Sequence, residues 1–145
     1  MPHIALPITP DGPIVTCDVS PSNVRRAALT ASGAITPNPV RVRLLVDTGA
    51  ESTCLDPAVV RRLGLQATGL VPVLTPTTGS TAQIVAQYDA ALYLSFGSTS
   101  RAFDPLPILE SQLSPQGIDG LLGRDVLEDC LLVYSGPNSL FILSI

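Results

Sequence analysis

Leu44-Leu45-Val46-Asp47-Thr48-Gly49-Ala50 decides how this chain is read. Upstream, Val40 to Val46 alternates Arg41 and Arg43 with Val42 and Leu44, the period of a half-buried strand. That strand delivers the Asp47 carboxylate at its end. Gly49 permits a tight backbone approach that any Cβ would obstruct, and the Thr48 hydroxyl is free to reach a facing loop. Asp-Thr-Gly by itself is also a common turn sequence. What sets it apart here is a second segment, Gly117-Ile118-Asp119-Gly120-Leu121-Leu122-Gly123-Arg124-Asp125-Val126-Leu127, in which an apolar pair runs into Gly-Arg-Asp and the start of a short helix.

On these two segments the chain resembles the retropepsin-like aspartic proteases, the single-domain family of retroviral proteases and their cellular and bacterial relatives. The first signature is Leu45-Val46-Asp47-Thr48-Gly49-Ala50 and the second Leu121-Leu122-Gly123-Arg124-Asp125, in the family's order, with the likeness running from about residue 40 to 145. The resemblance implies an all-β fold: a closed β-barrel with a flap hairpin and one or two short helices. It also implies that Asp47 is catalytic, that Thr48, Gly49 and Ala50 support its loop, and that Arg124 pairs with Glu51 to brace it. A guanidinium can hold a carboxylate bidentately; the competing reading makes both residues solvated surface charges.

The chemistry fits such a loop. Peptide hydrolysis without a metal or a covalent intermediate needs one carboxylate to draw a proton from water and one carboxylic acid to polarise the scissile carbonyl. Two Asp side chains sharing a proton supply both, since like charges about 3 Å apart do not readily both ionise. The chain carries one Asp-Thr-Gly, so a working site would be shared by two chains. A hydroxyl at position 50 would stabilise the ionised form, so Ala50 points to a milder acid optimum than Ser would give. Asp125 reads as a helix cap or first-turn acid, with a part in catalysis as the lesser reading. Asp119-Gly120 lacks the intervening Thr or Ser and reads as a turn.

Composition bounds the possibilities. The chain has 145 residues, enough for one core and too few for a two-lobed aspartic protease. It reads as one domain over 1–145, with 1–39 as a less certain N-terminal extension. Apolar residues make up 46% and charged residues 14%, and 14 Pro and 11 Gly punctuate short apolar runs, a pattern of compact all-β chains. So little charge also suits a surface buried in an oligomer. A net charge of -4 leaves no basic footprint for nucleic acid. Cys17, Cys54 and Cys130 have no metal-ligand spacing and read as thiols of a reducing compartment. His3 is the only histidine, which disfavours a Ser-His or Cys-His mechanism. No metal or organic cofactor is expected. There is no membrane-spanning run, and Met1-Pro2-His3-Ile4 lacks the charged start of a signal peptide, so the expectation is a cytoplasmic protein.

Strands are expected at Ile4 to Ile8, Ile14 to Val19 and Val40 to Val46. Residues 20–39 are compatible with either a helix or an extended ribbon. Asp56, Pro57 and Gly64 punctuate a short helix. Val71 to Leu74 and Thr81 to Ala86 form the arms of a hairpin tipped by Thr77, Thr78, Gly79 and Ser80. In the resembled family this hairpin is the flap that closes over substrate; as an ordinary surface hairpin it would have no such duty. Tyr88 to Phe96 and Phe103 to Leu109 read as strands broken at Gly97 and Pro105. The apolar end, Ser139 to Ile145, would be a liability if exposed. In family members the termini interleave across a two-fold axis, which here would involve Ile4 to Ile8; a buried strand within one chain is the competing reading.

The expected function is therefore an aspartic endopeptidase acting as a homodimer on an extended peptide. Two alternatives stand beside it: a non-catalytic peptide-binding scaffold of the same fold, and a protease processed from a larger precursor.

Overall fold

Seven strands build the body of the protein. The structure is a computed structural model and describes every residue except Pro76 and Thr78. In chain order the elements are β1 (His3–Pro7), β2 (Ile14–Pro21), α1 (Asn23–Ala31), β3 (Val40–Val46), β4 (Cys54–Leu55), α2 (Pro57–Arg62), β5 (Ala67–Val73), β6 (Gln83–Phe96), β7 (Thr99–Glu110), β8 (Gly120–Leu122), α3 (Arg124–Leu127), β9 (Leu131–Ser135) and β10 (Leu140–Ser144). The larger sheet runs β2-β3-β8-β4-β7-β6-β5, and β2 also pairs with β6. That last pairing closes six strands into a barrel and leaves β5 as a hairpin arm on β6. The protein thus has the all-β, retropepsin-like closed barrel, with three short α-helices among the described residues where one or two were expected.

The barrel closes because its strands alternate. Along β3, Val42, Leu44 and Val46 are buried while Arg41 and Arg43 are exposed, so one face fills the interior. Leu44, Leu55, Leu92, Leu94, Ile108 and Leu122 meet there, all nearly inaccessible to solvent. Residues 1–39 are built into this body: β2 is a barrel strand, and β1 pairs with β10 in register His3↔Ser144 to Pro7↔Leu140.

The terminal sheet has the order β1-β10-β9. Phe141 and Leu143 of β10 are fully buried in the main core. Within the chain, then, the apolar terminal strand is covered, and both edges of β10 are occupied by its own neighbours.

Local signals explain the helices to different degrees. Asp56 caps α2, accepting the Ala58 N–H at 2.9 Å, and Pro57 opens the helix, as the sequence suggests. In the undecided stretch α1 forms with Ser22 as its cap, accepting the Arg25 N–H at 3.2 Å. The Asp104 carboxylate, far along the chain, accepts the Asn23 N–H. Pro105 differs from expectation. β7 runs through it, because the β6 register shifts between Ala90 and Leu92 and the irregularity absorbs a residue that has no N–H to donate.

Two substitutions test this packing. An added Cβ at Gly120 would lie 2.2 Å from the Cys54 carbonyl oxygen, so Gly120→Ala must part β8 from β4 and is expected to cost about 3 kcal/mol or more in urea unfolding. Phe141→Ala should cost about 3–5 kcal/mol in the same assay.

Candidate active site

Asp47 leaves the end of β3 held by its own backbone. Its N–H donates to the Leu122 carbonyl of β8 at 3.0 Å, and its carbonyl accepts the Ala50 N–H at 3.2 Å. The loop is a tight turn whose carboxylate is aimed from within: Gly49 N–H donates to Asp47 Oδ1 at 2.9 Å. A Cβ at residue 49 would stand 3.1 Å from that oxygen, so glycine leaves room for the carboxylate. Asp47 is half-buried, and Thr48 and Gly49 are exposed. The arrangement presents one oriented carboxylate at an open face.

The second signature crosses behind this loop. Arg124 N–H donates to the Ala50 carbonyl at 2.9 Å, and Asp125 N–H to the Glu51 carbonyl at 3.3 Å. Arg124 Nη1 donates to the Thr48 carbonyl at 3.0 Å. The expected brace is present with different chemistry: among the described residues no ion pair joins Arg124 to the Glu51 carboxylate. The guanidinium instead grips the loop backbone at the Thr48 carbonyl, a polar group that needs a partner as a side chain does.

Thr53 was missed in the sequence and is the centre of the crossing. It is fully buried. Its N–H and hydroxyl donate to the two Asp125 oxygens at 2.9 and 2.7 Å, and its hydroxyl oxygen accepts the Gly123 N–H at 3.1 Å. Asp125 is thus a first-turn acid of α3 whose carboxylate is spent on Thr53. Gly123 is obligatory, since a Cβ there would lie 2.5 Å from the Ser52 carbonyl carbon. Nothing local marks Thr53; its partners come from the far half of the chain.

Asp119 is likewise structural. Its carboxylate accepts the Arg43 N–H at 2.8 Å, and its N–H donates to the Arg43 carbonyl at 2.9 Å, tying β3 to the turn before β8.

Asp56 does more than cap α2. Its Oδ2 accepts the Leu113 and Ser114 N–H groups at 2.9 and 2.7 Å while Oδ1 takes Ala58. Burial works to raise this carboxyl, but the hydrogen bonds from Ala58, Leu113 and Ser114 outweigh it and hold the pKa below the ordinary value. The stability it contributes is therefore complete above the usual carboxylate range and is lost only as pH falls through the lowered value.

Cys54, next to Thr53, is buried, and its thiol is pushed up to about 11, chiefly by burial and with a smaller push from the Asp47 charge. At neutral pH it is a packed thiol, not a nucleophile.

The hairpin β5–β6 carries the residues assigned to the flap. Thr77, Gly79 and Ser80 are exposed at its tip, and Gly79 has φ +60°, a left-handed turn position. Thr78 lies outside the described residues. Among the described residues no group of His, Cys, Asp and Glu side chains is placed to hold a metal ion.

Comparison with known proteins agrees with this geometry. The family described as aspartyl protease matches residues 31–126, which include both the Asp47 loop and the Arg124 segment. No curated protein sequence is significantly similar to the chain. Among solved structures, a retropepsin-like aspartic protease from Rickettsia conorii superposes with a TM-score of 0.58 at 18% identity, over 97% of this chain and 89% of that one. The retroviral protease-like domain of Ddi1 from Leishmania major gives a TM-score of 0.43 at 14% identity, over 86% and 83%. At such identity the Rickettsia protein shares the fold, while the family match spans more than half of this chain. The protein belongs to the aspartyl protease family.

Proposed function

We propose that the chain is an aspartic endopeptidase that works as a homodimer, with Asp47 of each subunit forming one site. The observation that carries this reading is the Asp47 carboxylate itself: it belongs to the one Asp-Thr-Gly of the chain, is held by Gly49 N–H at 2.9 Å, and is half-buried beside the exposed Thr48 and Gly49. In the paired site one carboxylate takes a proton from water as it attacks the scissile carbonyl. The protonated partner polarises that carbonyl, and a carboxyl then gives the leaving amine its proton. Thr48, exposed beside Asp47, would meet the partner's loop.

Other features support the reading. A concave space of about 500 Å³ lies between the β6 arm and Glu110 to Gln112, and no residue of the Asp47 loop lines it. Thr48 and Gly49 are exposed in the single chain, as a half-site would require. In the terminal sheet the edges left for a partner are β1 and β9, and β9 exposes Leu131, Val133 and Tyr134. Apolar side chains on a free edge favour association. The hairpin β5–β6 would act as the flap over a peptide bound as an extended strand. No helix among the described residues is long and apolar enough to cross a membrane, and all three thiols are free, which supports the cytoplasmic setting as part of this proposal.

Three outcomes follow from it. In a peptide library read by mass spectrometry, Asp47→Asn should lower cleavage by about 10²–10⁴-fold, with the wild-type maximum at milder acidity than about pH 3. If a folded, dimeric wild type is as silent as the mutant, the endopeptidase reading fails and the non-catalytic peptide-binding alternative takes its place. Arg124→Ala removes a charged hydrogen bond to Thr48 worth about 1.5–3 kcal/mol, and kcat/KM should fall by about ten- to a hundred-fold. Sedimentation with a peptide inhibitor should give a dimer; monomer alone at high concentration would overturn the shared site.

A further inference from the structure

Beside Asp47 the barrel has a second apolar cluster, on the opposite face of its strands from the main core. The strand registers set Ile14 opposite Leu45, Leu45 beside Leu121, Leu121 beside Cys54, and Cys54 beside Leu109. These five form one continuous row across five neighbouring strands. Cys54 is buried and the other four are half-buried, so the row is apolar and partly open. Leu45 stands two residues before Asp47, about 7 Å away along a strand. Alternation puts Leu45 and the start of the Asp47 loop on the same side of the sheet.

The segment between β7 and β8 lies over this row. Leu113 and Ile118 belong to the same cluster and are only 5% and 4% exposed. No strand pairing holds Leu113. Its N–H and that of Ser114 are bonded to Asp56 Oδ2 instead, at 2.9 and 2.7 Å. Asp56 is 4% exposed, directly follows β4, and donates its own N–H to the Asp119 carbonyl at 2.7 Å. One residue therefore ties the overlying segment to the strand beneath it in two places, its carboxylate holding Leu113 and Ser114 and its backbone N–H holding Asp119.

We propose that Asp56 is a positioning residue of the site: by holding the Leu113–Ser114 backbone it seats Leu113 over the row beside Asp47, and so sets which apolar side chains of a bound peptide the row accepts. The inference rests on the endopeptidase reading and extends it to substrate choice. The helix-capping duty of Asp56 does not require it. Ala58 uses Oδ1, and an Asn would cap α2 equally well. The bonds to Leu113 and Ser114 need the second oxygen of a carboxylate, because an Asn amide would face two N–H donors with a donor of its own.

Asp56→Asn therefore separates the two duties. The measurement uses peptides from the cleaved set, each paired with a version in which a Leu flanking the scissile bond is replaced by Ala. For the wild type the Leu peptide should be preferred by about ten-fold or more in kcat/KM. In Asp56→Asn that preference should collapse to about two-fold, through a higher KM for the Leu peptide with kcat little changed. Leu113→Ala, which leaves Asp56 and its bonds in place, should lose the preference in the same way, and it serves if Asp56→Asn does not fold. Val59→Ala, which weakens the main core under α2 and not the cluster that holds Leu113, should slow both peptides alike. A preference retained in Asp56→Asn or Leu113→Ala, or lost equally in Val59→Ala, would overturn the proposal. If the wild type cuts nothing, the endopeptidase reading fails separately. Extended apolar peptides with a central Leu, each paired with its Ala version, are then compared by fluorescence anisotropy: Leu-over-Ala affinity lost in both variants supports the positioning role, and affinity unchanged in them, or no preference in the wild type, overturns it.

Discussion

The crossing of the Gly123 backbone over Ser52 and Thr53 is the constraint on which the site depends. There is no room for a Cβ at Gly123, and this close approach lets the Thr53 hydroxyl accept from Gly123 while donating to Asp125. A buried hydroxyl and a carboxylate this near each other must be satisfied completely, since an unpaired member would be costly. Here each finds its partners across the two halves of the chain. The Asp47 loop and α3 are thereby held in one block, and Arg124 completes it through the Thr48 carbonyl.

From that block the rest of the geometry follows. β3 and β8 run parallel side by side, Leu45 against Leu121, so that the end of one strand carries Asp47 and the end of the other turns into α3. The inward residues of these strands fill the barrel and the outward ones make the apolar row beside the carboxylate. A single alternation of side chains thus serves both stability and the site. Strand pairing does not extend to the segment over the row, and the Asp56 carboxylate takes its place with charged hydrogen bonds, which are stronger than neutral ones.

Legibility from sequence followed the range of the interactions. β3 and α2 were read to within a residue or two because their signals are local: alternation for the strand, and Asp56, Pro57 and Gly64 for the helix. α1 was left open because it buries no residue, so it shows no apolar stripe, and its anchor is Asp104. Pro105 was misread as a break because the shift in the β6–β7 register that accommodates it belongs to a pair of strands and not to one. Arg124 was expected to pair with the Glu51 carboxylate, and its guanidinium donates to the Thr48 carbonyl instead. A motif names side chains, while the unsatisfied groups of a tight turn are in its backbone.

The sequence by itself determined that an Asp would stand at the end of a buried strand, followed by a turn small enough to expose it, and that a Gly-Arg-Asp segment would accompany it. Those features rest on residue size, backbone freedom and hydrophobic period, which are properties of neighbours in the chain. Only the tertiary structure decided what Thr53, Asp56 and Asp125 do, because each is bonded to residues far away along the chain. It also decided that β10 is covered on both edges within the chain, leaving β1 and β9 as the free edges of the terminal sheet. Hydrogen bonds between distant segments depend on how the barrel closes, and closure is a property of all its strands together.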